Sequence, residues 1–237
     1  MSGGKALSYW DHLEIFRIKI LTVIVFLVVA SFFSFFFIDK ILQILQRPIQ
    51  GLPVTLNYFK PYEKMLVYIK ISFYSGFVLT VPFGLFQIGS FIYPGLKKKE
   101  RRLFALSFVL IPFIFITGIL FSYFYMAPAA FRFFVSFGIG DSFKFLWSVM
   151  EYYDLFVGLL FACGLIFQLP LILIVLMKLG VLKVEKLVFF RKYIILAIAI
   201  IAAILSPPDV LSMFLIGIPL YLLFELSVFI GRFVARR

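Results

Sequence analysis

Residues 18–38 read IKILTVIVFLVVASFFSFFFI, and the solvent this stretch needs decides the fold. Its single charge, Lys19, stands at one end. A helix rising about 1.5 Å per residue needs roughly 20 apolar residues to cross about 30 Å of hydrocarbon, and this run supplies them. Five further apolar runs follow, at 69–92, 103–127, 155–177, 193–205 and 211–230. Together they predict an all-α polytopic membrane protein of six helical spans, a single integral-membrane domain over residues 1–237. Composition agrees, since 64% of residues are hydrophobic, only 14% are charged, and 34 are Phe. A soluble domain of this size could not hide so many aromatic rings and keep a wettable surface.

The spans are not alike. The first four are full length, whereas 193–205 has 13 residues and Leu211 to Phe224 offers 14 before Glu225 interrupts. Each covers only about 20 Å of apolar height. The last two spans therefore read as a short hairpin about Ser206-Pro207-Pro208-Asp209, where Pro207 and Pro208 stop one helix and Asp209 caps the next. A hairpin this short thins the lipid beside it or is covered by neighbouring protein.

Charge gives the orientation. With the N-terminus inside, 16 Lys and Arg face the cytoplasm and 7 the other side, so the positive-inside bias selects cytoplasmic termini. The net charge of +12 is spread over short loops beside apolar runs, an arrangement suited to anionic headgroups; no basic stripe interleaved with aromatics points to nucleic acid. Asp11 and Glu14 precede a first span longer than a signal h-region, so span one reads as a retained anchor. Ser8 with Asp11 resembles a capping box, which predicts a short interfacial helix from about Tyr9 leading into that span and placing Asp11, Glu14 and Ile18 on one face.

Two outer loops are long enough to carry structure. In the first, Asp39 is expected to cap a helix whose Ile41, Leu42 and Leu45 share an apolar face at the interface, ahead of Pro48. In the second, Phe131, Phe133, Phe134 and Phe137 with Trp147, Tyr152 and Tyr153 suit a cap at headgroup level. Pro82, Pro112, Pro170 and Pro219 fall inside spans and are expected to bend them into a curved, open assembly. Gly158 and Ala162 form a small-xxx-small pair that predicts close helix approach.

Catalytic chemistry is missing. There is no HExxH, GxSxG, Walker loop or intramembrane Asp pair, and the lone Cys163 is far in sequence from the lone His12, so neither enzyme activity nor a metal or cofactor is expected. The polar residues in or beside spans, Gln87, Gln168, Asp209 and Glu225, make no titratable chain of the kind a proton-coupled pump uses. A small-solute transporter would need inverted repeats about a polar midplane site, and neither is evident. What remains is recognition at the cytoplasmic face, where Glu14 and Glu100 stand among cations. On spacing alone, Glu14 pairs with Arg17 at i,i+3 and Glu100 neutralises Lys97 to Lys99, Arg101 and Arg102.

His12-Leu13-Glu14 with Arg17, and Phe91-Ile92-Tyr93-Pro94-Gly95-Leu96 with Glu100-Arg101-Arg102, resemble motifs of the TatC family, the multi-spanning receptor subunits of the twin-arginine protein translocase. Pro61-Tyr62-Glu63, Phe167-Gln168-Leu169-Pro170 and Ser206-Pro207-Pro208-Asp209 follow in family order, so the likeness covers nearly the whole chain. The resemblance implies a receptor for the paired arginines of signal peptides on folded proteins. Such a receptor works in a multimeric complex with TatA- and TatB-type single-span subunits and the proton gradient, in a prokaryotic cytoplasmic (inner) membrane and without a cofactor. It places Glu14 and Glu100 on the two arginines, with Arg17, Phe91 and Arg101 beside them, and partner contacts near the last spans. In the span-four motif the family usually carries Glu where this chain has Gln168, and four positions after Asp209 it commonly carries a polar residue where this chain has Met213. A structural membrane scaffold without receptor activity is the remaining alternative.

Overall fold

The computed structural model describes residues 9–92, 98–137, 146–205 and 210–234. Helices dominate it: α1 (Tyr9–Phe36), α2 (Ile38–Gln46), α3 (Glu63–Ile92), α4 (Lys98–Phe121), α5 (Ala127–Phe137), α6 (Val149–Ile166), α7 (Leu169–Lys178), α8 (Val184–Phe189), α9 (Arg191–Leu205) and α10 (Val210–Val234). Two three-residue strands, β1 (Thr55–Asn57) and β2 (Leu146–Ser148), join them. Among the described residues, five helical stretches are long and apolar enough to cross a membrane: Leu13–Phe36, Glu63–Phe91, Phe108–Ser136, Val149–Lys178 and Met213–Phe233. This is a helical, multi-pass membrane fold.

The fifth apolar run of the sequence forms α9, 15 residues and as short as expected. The sixth does not stop at Glu225. Helix α10 runs for 25 residues, because the Glu225 carboxylate accepts a 2.9 Å bond from Arg191 at the start of α9 and is thereby tolerated inside the helix. Ala202 of α9 lies beside Gly217 of α10, as an antiparallel hairpin requires. Asp209, Pro207 and Pro208, which were to form its turn, lie outside the described residues.

Other expectations shift in detail. There is no separate leading helix at Tyr9; α1 is one continuous helix of 28 residues. Pro82, Pro112 and Pro219 lie within α3, α4 and α10, but Pro170 divides the fourth run into α6 and α7. Proline has no N–H for the Ile166 carbonyl and its ring crowds that position, so α6 ends at Ile166 and α7 restarts at Leu169. Helix α7 closes on Gly180 at φ +73°, with Gly180 N–H donating to Met177 O and Val181 N–H to Leu176 O, a left-handed stop that glycine adopts freely.

Close helix approach occurs, though not at Gly158, where an added Cβ would meet nothing. It occurs where Gly118 of α4 meets the Cys163 carbonyl and Gly164 of α6, and where Gly76 of α3 meets Ser31 of α1. Gly158 and Ala162 are spaced correctly, but Gly158 faces outward and only Ala162 is buried.

The chain's two sides follow from these contacts. Gly231 near the end of α10 sits against Met177 and Val184, and Lys19 near the start of α1 bonds Gln87 and Ser90 near the end of α3, so the inner ends of these helices gather on the side of the termini. The opposite, outer side carries a cap. Asp39 does not cap α2, whose N-cap is Phe37; its carboxylate instead accepts from the Tyr68 hydroxyl at 2.7 Å. The apolar face is as read, with Leu42 and Leu45 buried beside Ile38 and Ile41 packed against them. The last carbonyls of a helix lack intrahelical donors. Here the Tyr123 hydroxyl donates to Ile44 O at 2.8 Å and the Tyr152 hydroxyl to Leu45 O at 2.5 Å. Pro48 then sets a 3-10 turn at Arg47–Ile49.

The second outer segment completes the cap. Phe131, Tyr152, Tyr153 and Phe156 are buried, with Phe131 centred 5.0 Å from Tyr152 and 5.6 Å from Phe156. Strand β1 pairs in parallel with β2, matching Thr55 to Leu146, Leu56 to Trp147 and Asn57 to Ser148. Glu63 locks the joint. Its carboxylate accepts from the backbone N–H of Phe59 (2.7 Å), Lys60 (3.1 Å) and Met150 (3.2 Å) and from the Ser148 hydroxyl (2.8 Å). Partial burial and this carboxylate together push the Tyr58 phenol above its ordinary pKa.

Candidate recognition face

The inner ends of α1 and α3 are held together by side chains that the apolar pattern supplies. Phe26 stacks on Phe83 at 4.4 Å and Phe16 tilts against Phe91 at 5.5 Å. Between these ring pairs the Lys19 ammonium donates to Ser90 Oγ and, at 3.4 Å, to Gln87 Oε1. A cation one turn inside an apolar helix needs such partners to remain charged.

Glu14 and Arg17 stand beyond this joint, both exposed. The i,i+3 pair expected of them does not form: neither group takes an ionic or hydrogen-bonded partner among the described residues. Helical spacing brings two such residues within reach, but an exposed pair returns little for the side-chain freedom it costs. Glu100 and Arg101 lie in the first turn of α4, where the helix dipole favours an acid over a cation. Helix α4 packs back on α3 where Gly89 leaves room for the Phe108 ring. Helices α1 and α4, which carry the two acids, thus both pack against the inner half of α3. Pro94 and Gly95, in the connection from α3 to α4, lie outside the described residues.

Gln168 sits apart from this face, at the break between α6 and α7. It is buried, and its amide donates to the Ile111 carbonyl at 2.9 Å, tying the break to α4 beside Pro112. An apolar cavity of about 280 Å³ opens next to it between α3, α4 and α7, walled by Ile88, Phe108, Leu171 and Val175 among others. Met213 is half-buried in the first turns of α10 and packs on the core as an apolar side chain.

Several polar groups escaped the sequence reading. Lys70 and Asp154 join α3 to α6 with bonds of 2.8 and 2.6 Å. Arg191 with Glu225 does the same for α9 and α10. Lys19 belongs to this set. The available signal was a charge within or at the edge of an apolar run with an unmatched opposite or polar group at similar depth on another run, since membrane depth is set by span counting.

The fold and this face define a class: a multi-pass helical membrane protein with two unpartnered or helix-start acids on its basic side and no catalytic constellation among the described residues. A family model described as "Sec-independent protein translocase protein (TatC)" matches residues 11–219, and the chain belongs to that family. Relatives named Sec-independent protein translocase protein TatC include those of Carboxydothermus hydrogenoformans, 35% identical over 97% of this chain and 95% of its own length, and Aquifex aeolicus, 35% identical over 96% and 95%. The crystal structure described as the twin arginine translocase receptor TatC in DDM superposes with a TM-score of 0.85 at 35% identity, covering 93% of this chain and 99% of that one. Protein transport across a membrane, within a translocase complex, is therefore the work of this family member, and it is not an enzyme.

Proposed function

We propose that this chain is the receptor and core subunit of a twin-arginine translocase, resident in a prokaryotic cytoplasmic membrane. In this reading it binds the paired arginines of a signal peptide through Glu14 and Glu100. The observation that carries the reading is the exposed Glu14 carboxylate, left without a partner among the described residues although Arg17 is one turn away. A guanidinium presents a planar fork that one carboxylate meets with two charge-assisted bonds; an ammonium cannot copy that geometry. Two carboxylates on separate helices can therefore read two arginines and reject two lysines. Arg17, Lys97 to Lys99, Arg101 and Arg102 add repulsion against singly charged competitors and attraction to anionic lipid. Phe91, ring-packed on Phe16, supplies an apolar floor beside the acids.

Single-span subunits of the TatA and TatB type are the partners this reading assigns, packing near α9 and α10, where Met213 makes the contact apolar rather than hydrogen-bonded. Gln168 serves as a fixed hydrogen-bond donor and not as a titrating group. The test is binding of a twin-arginine peptide, and of its Lys-Lys variant, to the purified chain, to Glu14→Ala and to Glu100→Ala in detergent. Selective Arg-Arg binding that either substitution weakens supports the receptor assignment. Equal binding of both peptides removes the roles of the two acids and favours a scaffold.

A further inference from the structure

The outer cap contains a cavity that the recognition of signal peptides does not use. It measures about 300 Å³, at the lower end for small-ligand sites, and opens beside the start of α6. It is lined by Phe131, Tyr152, Phe134, Trp147 and Leu155, and Glu151 is the only charged residue among the described residues of its lining. Phe131 and Trp147 are centred 5.9 Å apart, so the rings form one continuous surface.

Glu151 needs explaining. It stands three residues after the N-cap Ser148, where a glutamate side chain ordinarily turns back to bond the N-cap backbone N–H. Only half of that arrangement exists. The Glu151 backbone N–H donates to Ser148 Oγ, while the Ser148 hydroxyl itself donates to Glu63; the Glu151 carboxylate takes no partner among the described residues. A free carboxylate beside a half-buried indole, with no Lys or Arg among the described lining residues, is complementary to a cation that can sit over a ring face and meet an anion at once.

We propose that this cavity binds the ammonium headgroup of a phospholipid from the leaflet on the cap side, with Glu151 neutralising the amine and Trp147 and Phe134 covering it. Lipid is the occupant because the cap lies at the end of the spans where headgroups gather and where Trp and Tyr favour the interface. The rest of this strongly basic chain attracts anionic lipid, so an acid-lined aromatic cavity selects a different headgroup on this side.

Trp147 is its own reporter once Trp10, the other tryptophan, is replaced by Phe. The full-length Trp10→Phe chain in detergent is titrated with short-chain phosphatidylethanolamine, short-chain phosphatidylglycerol and ethylammonium chloride while indole fluorescence is followed. The expected result is a saturable change with phosphatidylethanolamine, none with phosphatidylglycerol, and a half-saturation at least tenfold weaker for free ethylammonium. Glu151→Gln weakens the lipid response at least fivefold, and Glu151→Asp, which keeps the charge, retains most of it, so loss through misfolding is told apart from loss of the carboxylate. An equal response to phosphatidylglycerol, or an unchanged one in Glu151→Gln, overturns the site. Ethylammonium as potent as the lipid overturns the lipid assignment in favour of a free amine.

Discussion

Glu63 and Glu14 are carboxylates at opposite ends of the membrane domain, and the chain treats them in opposite ways. Glu63 is buried and accepts four hydrogen bonds that join two distant segments; Glu14 is exposed and accepts none among the described residues. The rings around them follow suit, with Phe131, Tyr152 and Phe156 sealed in the cap while Phe16, packed on Phe91, remains exposed. At Glu63 the outer end commits a carboxylate to its own structure, and at Glu14 the inner end leaves one unpaired among the described residues. A receptor for an incoming cationic peptide needs that division, because a carboxylate already satisfied internally has little to gain from a new partner.

Substitutions at Glu63's end and at Glu14's end are expected to separate in their effects. Phe156→Ala, in the sealed cap, is expected to cost about 3–5 kcal/mol of stability by opening a cavity, measured by unfolding in detergent, while the fraction that stays folded binds peptide normally. The double variant Glu14→Gln, Glu100→Gln should do the reverse, weakening twin-arginine peptide roughly tenfold to hundredfold with an unchanged melting point. Gly118→Val forces a side chain against the Cys163 carbonyl and is expected to cost about 1–3 kcal/mol, read as a lower unfolding midpoint. Tyr152→Phe removes one hydrogen bond to the end of α2 and should cost about 1 kcal/mol. The smallest effect belongs to Arg17→Ala, within about 0.5 kcal/mol on stability because the exposed Arg17 side chain is unpaired among the described residues. A larger loss there would show that the inner end also depends on its charges.

The helical membrane class was legible because water and lipid impose a length and a polarity on each span. The apolar face of α2 and the aromatic cap were legible for the same reason. Lys70, Asp154 and Arg191 were not recognised as pairing residues, because a pair joining segments 84 residues apart, or 34 in the case of Arg191 and Glu225, leaves no periodicity in either segment. Glu63 showed only as part of a motif, since its four donors are mostly backbone amides whose placement depends on the finished fold. Asp39 fitted the rules for capping but found the Tyr68 hydroxyl, a partner no local rule supplies. On the inner side, the motifs drew attention to Glu14 and Glu100, yet whether Glu14 was spoken for by Arg17 could be decided only with side chains in place.

The parallel pairing of β1 with β2 has a bearing on how this protein is made. Ser148 lies 85 residues after Glu63 and Tyr153 lies 107 after Gln46, so the first outer segment reaches the far side of the bilayer long before its counterpart is synthesised. Until the third and fourth spans have inserted in the correct direction, β1 is an unpaired edge and the Glu63 carboxylate lacks half its donors. Closure of the cap therefore depends on correct insertion of the later spans: a span threaded the wrong way leaves β1 unpaired and Glu63 without its bonds from Ser148 and Met150.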